Sequence, residues 1–339
     1  MKQFVVAVVG ATGVVGTEMI KMLEELKFPV SELIPLASEK SAGKVIEFNK
    51  KNVKVKVLNE DSFKGVQVAL FSAGSSISET YAPLAVKAGA IVIDNTSFYR
   101  MDKDVPLVVP EVNAADVKKH KGIIANPNCS TAQMVLALKP LYDKWGISRV
   151  VVSTYQATAG AGKEAMDELA LQTASIMNGK GPGVPRKFSK QIAFNVIPQI
   201  DTFLENGFTK EEMKMTNETK KIFGDDSLDV VATCVRVPVF IGHSESLNIE
   251  LKKPFKDIAE IREALRTVPN LVIVDEPEKK GYPTPIETAD QNDTYVGRIR
   301  RDFSVPSGVA LWNVSNNLRK GAAFNAVQIA WELVNQKLI

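Results

Sequence analysis

The chain has 339 residues, which predicts about two domains and a core large enough to need no staples. Hydrophobic residues make up 45% and charged residues 24%, excluding a disordered or coiled-coil chain. Lysine and arginine number 42 against 39 aspartate and glutamate, a net charge of +3, too weak and scattered for an electrostatic nucleic-acid binder. The only cysteines are Cys129 and Cys234, and the only histidines His120 and His243. Their wide spacing argues against a structural zinc site or a disulfide framework. A reaction using a thiol and an imidazole would thus have four pairings to choose from. No apolar stretch approaches the roughly 18 residues of a membrane span. The start, Phe4-Val5-Val6-Ala7-Val8-Val9, superficially resembles a signal peptide, but it runs into a glycine-rich turn and an amphipathic helix, as a buried first strand would. A reduced, cytoplasmic protein is expected.

In chain order, Phe4–Val9 reads as a strand buried on both faces. A helix follows over residues 13–27, with Val15, Met19, Met22, Leu23 and Leu26 on one face. Strands are predicted at 33–37, 53–57 (half-exposed), 66–71, 90–94, 107–109 and 123–125, with a helix over 78–87. This alternation predicts a Rossmann-like, mainly parallel α/β sheet with helices on both faces. Beyond Cys129 the rhythm changes. Helices are expected at 130–144, 163–177 and 209–223, and a loop at 179–185. Strands at 149–154, 228–240, 246–251, 271–275, 294–299 and 309–314 imply an α+β domain with a mixed, largely antiparallel sheet. The expected division is 1–128, joined by a returning C-terminal segment 318–339, and 129–317.

Three segments carry chemistry. Gly10-Ala11-Thr12-Gly13-Val14-Val15-Gly16 lies between the first strand and the first helix, where glycines let a pyrophosphate approach the helix N-terminus. At the end of the second strand, Ser38, Lys40 and Ser41 suit a ribose 2′-phosphate, whereas Glu39 suits the ribose hydroxyls of NAD. In Asn126-Pro127-Asn128-Cys129-Ser130-Thr131 a cysteine opens a helix, which stabilises a thiolate. A buried cysteine beside an asparagine cap reads equally well. Gly242-His243-Ser244-Glu245 places a histidine in a bend between two strands. Cys234 sits inside an apolar strand and His120 among lysines, so local context favours the pair Cys129 and His243. Glu218 and Lys221, three apart on a helix, and the loop residue Arg100 are each most often surface charges.

Together, the segments GATGVVG, LFSAGSSISETYAP, VIDNTSFYR, NPNCST, VSTYQATAGAG, EEMKMTNETKKI, TCVRVPV, GHSES and VSNNLRKGAA resemble the aspartate-semialdehyde dehydrogenases, particularly the bacterial form, in the family's order from residue 4 to residue 336. The resemblance implies reductive dephosphorylation of L-aspartyl-4-phosphate by NADPH, on the route to lysine, threonine, methionine and isoleucine. It implies Cys129 as nucleophile and His243 as acid/base catalyst, with Asn128 and Gln156 positioning the carbonyl. Arg236 would bind the substrate carboxylate, Glu218 its amino group, and Arg100 and Lys221 the phosphate. NADP would meet Gly10, Thr12, Gly13, Val14 and Val15 at its pyrophosphate, Ser38, Lys40 and Ser41 at its 2′-phosphate, and Ala159, Gly160 and Asn317 near the nicotinamide. The family often carries arginine where this chain has Lys40. A homodimer or homotetramer is expected, without metal, nucleic acid or membrane. The competing readings are N-acetyl-γ-glutamyl-phosphate reductase, whose acylated substrate amine has little use for Glu218, a non-redox Cys/His acyltransferase or hydrolase, and a non-catalytic NADPH sensor.

Overall fold

A computed structural model describes residues 2–339. Up to Asn128 its elements are β1 (Phe4–Val9), α1 (Val14–Glu25), β2 (Val30–Ala37), β3 (Val45–Phe48), β4 (Lys51–Lys54), β5 (Lys56–Val57), β6 (Val68–Phe71), α2 (Ser75–Lys87), β7 (Ile91–Asp94), α3 (Pro110–Asn113) and β8 (Ile123–Ala125). Then come α4 (Cys129–Trp145), β9 (Ile147–Gln156), α5 (Lys163–Met177), α6 (Lys210–Phe223), β10 (Asp229–Arg236), β11 (His243–Leu251), α7 (Ile258–Arg266), β12 (Leu271–Ile273), α8 (Pro285–Thr288), β13 (Thr294–Asp302), β14 (Gly308–Ser315) and the C-terminal α9 (Phe324–Asn335). The backbone divides into two compact units: residues up to Asn128 with Ala322–Ile339, and Cys129–Gly321.

The first unit is a parallel sheet in the order β5-β2-β1-β6-β7-β8. Its central strand is apolar throughout because both faces are covered. Phe4, Val6 and Val8 pack with Met19, Met22 and Leu23 of α1 and Val327, Ile329 and Leu333 of α9. Ala7 and Val9 face the other way, against Phe63, Phe71 and Ala82 and Ala85 of α2. Each large side chain buried this way contributes about 1.5–3 kcal/mol, so α9 belongs to this core.

Two strand expectations in this unit are corrected. The half-exposed strand expected at 53–57 is split, because β4 turns back on β3 in a hairpin closed by Asn49 and Lys50, both at positive φ (49° and 61°), as a two-residue turn of that twist demands. The run 107–109 forms only an isolated bridge, Leu107 to Ala125; Pro106 before it and Pro110 after it restrict ladder pairing.

The second unit is a mixed sheet in the order β10-β9-β11-β14-β13-β12. The three central pairings are antiparallel and the two outer ones parallel. Helix α4 is buried along most of its length and packs on β11, β14 and β9, as well as on α6 and α7. Alternate residues of the strands therefore meet α4, and in β11 these are His243, Glu245, Leu247 and Ile249, all buried. The strand expected at 228–240 stops at Arg236, two residues before Pro238. His243 is the first residue of β11 rather than part of a bend, and the turn is made by Gly242 at φ +96°. Among the described residues, no helix is long and apolar enough to cross a membrane.

Candidate active site

In the first unit the turn after β1 is made of closely packed backbone. Gly10 has φ +85°, and a Cβ there would lie 2.6 Å from the Ser72 carbonyl oxygen. A Cβ on Gly16 would lie 2.1 Å from the Gly10 carbonyl oxygen, so the helix crosses the strand end closer than any side chain permits. Helix α1 starts at Gly13 with no capping side chain and no acidic residue in its first turn. Its first N–H groups and dipole thus suit an anion. Thr12 donates from Oγ1 to Ser41 Oγ (3.2 Å), joining this turn to the exposed segment that holds Ser38 and Lys40. A glycine turn at an uncapped helix N-terminus, beside a cationic polar loop, fits a dinucleotide.

Arg100, also in this unit, is 7% exposed. Its Nε donates to the Asn126 carbonyl and an Nη to that of Asn95, both at 2.9 Å. Asn126 is itself held by Asn325 of α9, whose Nδ2 donates to its Oδ1 (2.6 Å). The Asn-Pro-Asn segment, with buried Asn128, is therefore fixed from its flank.

In the second unit the candidate side chains Arg236, Gln156 and His243 occupy the end of the sheet. Arg236 pairs in register with Gln156, and His243 with Ser315. Gln156 follows Tyr155, the partner of Ser244, so it comes up beside His243. Arg236, Gln156, His243 and Ser315 are almost fully buried. Gln156 Nε2 donates to Thr154 Oγ1 (3.3 Å) and to Glu211 Oε1 (3.2 Å). An Nη of Arg236 donates to the Ala157 carbonyl (2.6 Å). Burial lowers the pKa of Arg236, opposed by the charges of Glu211 and Cys129. At Gly160 a Cβ would come 3.2 Å from that guanidinium and 3.3 Å from the imidazole, so only glycine leaves both groups unobstructed. The Asn317 side-chain carbonyl accepts from the Gly242 N–H (2.9 Å) and so fixes the turn before His243.

Complete burial holds the pKa of His243 well below its ordinary value, and the Arg236 charge adds to that; the Gly242 carbonyl acts in the opposite direction. Nδ1 accepts from the Ala157 N–H (3.0 Å). The neutral ring therefore carries its hydrogen on Nε2, an atom with no partner among the described residues. Cys129, half-buried, is the first residue of α4, where helix N–H groups favour the thiolate. It forms no disulfide, and a Cβ on Gly321 would lie 2.6 Å from its own Cβ. Cys234, in contrast, is buried at Met215 (Sγ–Sδ 3.7 Å), and burial pushes its thiol far up. Glu218, nearly fully buried, and half-buried Lys221 lie on α6, which packs on β10 and α4.

Sequence reasoning passed over the three buried carboxylates that act on Cys234. Glu211, seven residues before Glu218 on the same stripe of α6, accepts from Gln156 and from Lys214 Nζ (3.3 Å). Glu212 closes the Thr209 capping box and also accepts the Cys234 N–H (3.0 Å). Glu245 lies on the same face of β11 as His243. Strand and helix periodicity would have placed each of them inside.

Two family models cover most of the chain: "semialdehyde dehydrogenase, NAD binding domain" over residues 5–120, and "semialdehyde dehydrogenase, dimerisation domain" over residues 138–320. The aspartate-semialdehyde dehydrogenase of Aquifex aeolicus is 56% identical over 337 residues, covering 98% of this chain and 99% of the relative. That of Bacillus subtilis is 52% identical over 340 residues, with 98% of each covered. The chain belongs to the aspartate-semialdehyde dehydrogenase family. It is therefore an enzyme, an oxidoreductase with a nicotinamide-dinucleotide-binding domain and a dimerisation domain. The crystal structure of aspartate semialdehyde dehydrogenase II from Vibrio cholerae, complexed with ASA, superimposes with a TM-score of 0.96 at 50% identity, covering 99% of each chain. A more distant relative from Candida albicans, solved with NADP, superimposes with a TM-score of 0.77 at 27% identity, covering 99% of this chain and 100% of that one.

Proposed function

We propose that this enzyme converts L-aspartyl-4-phosphate to L-aspartate 4-semialdehyde and phosphate at the expense of NADPH, in the biosynthesis of lysine, threonine, methionine and isoleucine. The observation that carries this reading is the row Arg236, Gln156, His243 at the end of the second sheet, in a unit whose principal helix begins with Cys129. The Cys129 thiolate attacks the acyl phosphate carbonyl, phosphate leaves, and a thioester remains on the sulfur. The nicotinamide cofactor, when bound, supplies the hydride that reduces this thioester. Breakdown of the resulting adduct returns the thiolate and releases the aldehyde.

His243 serves both tetrahedral stages. Its Nε2–H steadies the oxygen that becomes anionic and can pass its proton there, and the same nitrogen takes a proton back as the adduct breaks down, while Nδ1 stays held by the Ala157 N–H. Arg236, anchored by Ala157, offers the planar fork that a carboxylate needs. Glu218 receives the substrate ammonium, Arg100 and Lys221 the phosphate, and Asn128 and Gln156 the reacting carbonyl oxygen. Gly10, Thr12, Gly13, Val14 and Val15 hold the pyrophosphate, Ser38, Lys40 and Ser41 the 2′-phosphate, and Ala159, Gly160 and Asn317 the nicotinamide end. A second copy of the chain docks on the sheet face away from α4, where Tyr155 and Trp312 pack at 5.4 Å and Tyr155 is 38% exposed. A thiol-dependent enzyme of this kind works in a reducing, cytoplasmic compartment.

The test follows NADP reduction with L-aspartate 4-semialdehyde, with and without phosphate. The rate should require phosphate and fall by about 10⁴-fold or more in Cys129→Ala. Equal rates without phosphate would sink the acyl-phosphate mechanism.

A further inference from the structure

Glu245 has no part in the chemistry above, yet it lies one row behind it. Across the sheet its register partners are Thr154 on β9 and Asn313 on β14, and Thr154 in turn pairs with Cys234 on β10. All four are fully buried. Glu245 Oε2 accepts from Asn313 Nδ2 (2.9 Å). The same amide nitrogen donates to the backbone carbonyl of Gln133 (3.0 Å), on α4 one turn after Cys129. Gln133 Nε2 reaches back to the backbone carbonyl of His243 (3.4 Å). These contacts link the helix that begins with the thiol to the strand that begins with the imidazole.

We propose that Glu245 is a positioning residue, which with Asn313 and Gln133 fixes the distance and orientation between Cys129 and His243. The inference rests on the catalytic reading of that pair. The cluster is short of hydrogen-bond donors: Oε1 of Glu245, Oε1 of Gln133 and Oδ1 of Asn313 are all buried and without a donor among the described residues. A proton on the Glu245 carboxyl supplies one. Burial also pushes its pKa well above the usual carboxylate range, and only the Gln133 and Asn313 amides oppose it. Titratable groups in the sheet rows beside it include Cys234 in its own row and His243 and Arg236 in the row ahead, and Glu211 and Glu212 of α6 act with it on Cys234. Burial thus favours the protonated form of Glu245, and what the brace uses is the shape of the side chain and its hydrogen bonds.

The experiment compares Glu245→Gln, Glu245→Ala and Gln133→Met, measuring kcat, KM and the pH dependence of Cys129 alkylation by iodoacetamide, with Cys129→Ala as the blank. Glu245→Ala should lose kcat on the order of a hundredfold with each KM within about twofold, the scale of a misplaced reacting pair. It should also displace the alkylation profile. Glu245→Gln, which keeps the shape and a donor, should restore kcat to within about threefold and superimpose its profile on that of the parent. Glu245→Gln as impaired as Glu245→Ala would overturn the proposal, since the ionisable carboxyl would then be needed. So would Glu245→Ala with unchanged kcat and profile. Where Glu245→Ala does not fold, Gln133→Met decides: a matching kcat loss with unchanged KM supports the brace, and parental kinetics overturn it. Parental turnover in Cys129→Ala would instead overturn the catalytic reading itself, a separate outcome.

Discussion

Around Gly10–Gly16 the proposed cofactor surface is made of backbone. Glycines let a strand end and a helix start meet at distances no Cβ tolerates, and the N–H groups of α1 are left uncapped. At the end of the second sheet the surface is made of side chains. Arg236, Gln156 and His243 come from three strands and are held by Ala157, Thr154 and Glu211. A backbone site tolerates almost any residue that is not in the tight turn, and it recognises charge and shape. A side-chain site depends on many distant residues at once, and it can discriminate a carboxylate from an amine or a phosphate. The first arrangement suits a cofactor common to many enzymes, the second a particular substrate.

The comparison breaks most sharply at Gly16. Gly16→Ala puts a methyl 2.1 Å from the Gly10 carbonyl oxygen and 2.7 Å from its carbon. The obstacle is backbone, so no side-chain rotation relieves it. We expect a loss of about 3 kcal/mol in stability, at the upper end of overpacking costs, read from the denaturant midpoint. Titration with NADP should show no binding where the parent saturates. A variant with parental stability and affinity would show that the turn does not depend on close backbone approach.

This contrast also explains what was readable in the sequence. The Gly10–Gly16 site is contiguous, so strand, turn and helix appear in order within seven residues. The parallel sheet was equally legible, because β1 is apolar on both faces. Cys129 and His243 lie 114 residues apart, and residue pattern alone favoured their pairing without deciding it. The row that joins Arg236, Gln156 and His243 exists only through strand register, which no local pattern encodes. Glu211 and Glu245 were missed for a different reason: periodicity puts both on inward stripes, but a carboxylate is read as surface from its residue type alone. The hairpin β3–β4 was hidden because its turn, Asn49-Lys50, lacks the usual glycine.

Arg236→Lys sharpens the side-chain half of the comparison. Lysine keeps the charge but loses the planar fork, and its single ammonium cannot both satisfy the Ala157 carbonyl (2.6 Å in the parent) and grip a carboxylate at two points. The KM for L-aspartate 4-semialdehyde should rise by about 10- to 100-fold, one to two decades at roughly 1.4 kcal/mol each. The KM for NADP and for phosphate should stay within about twofold. If the phosphate KM moves instead, Arg236 faces the other end of the substrate.

The smallest effect is expected at Lys40, an exposed side chain proposed to complete the backbone-built site. Thr12 and Ser41 are hydrogen-bonded to each other, and the exposed Lys40 is the residue next to Ser41. A lone exposed ammonium on a phosphate makes a screened, charge-assisted contact. Lys40→Ala should therefore raise the KM for NADP about tenfold, leave that for NAD within about twofold, and lose its effect as salt is raised. Glu39, its exposed neighbour, should act in the opposite sense: Glu39→Gln removes a negative charge beside the phosphate and should lower the NADP KM. If Lys40→Ala shifts both cofactors alike, the side chain does not read the 2′-phosphate, and cofactor choice in this unit rests with the backbone and the two serines.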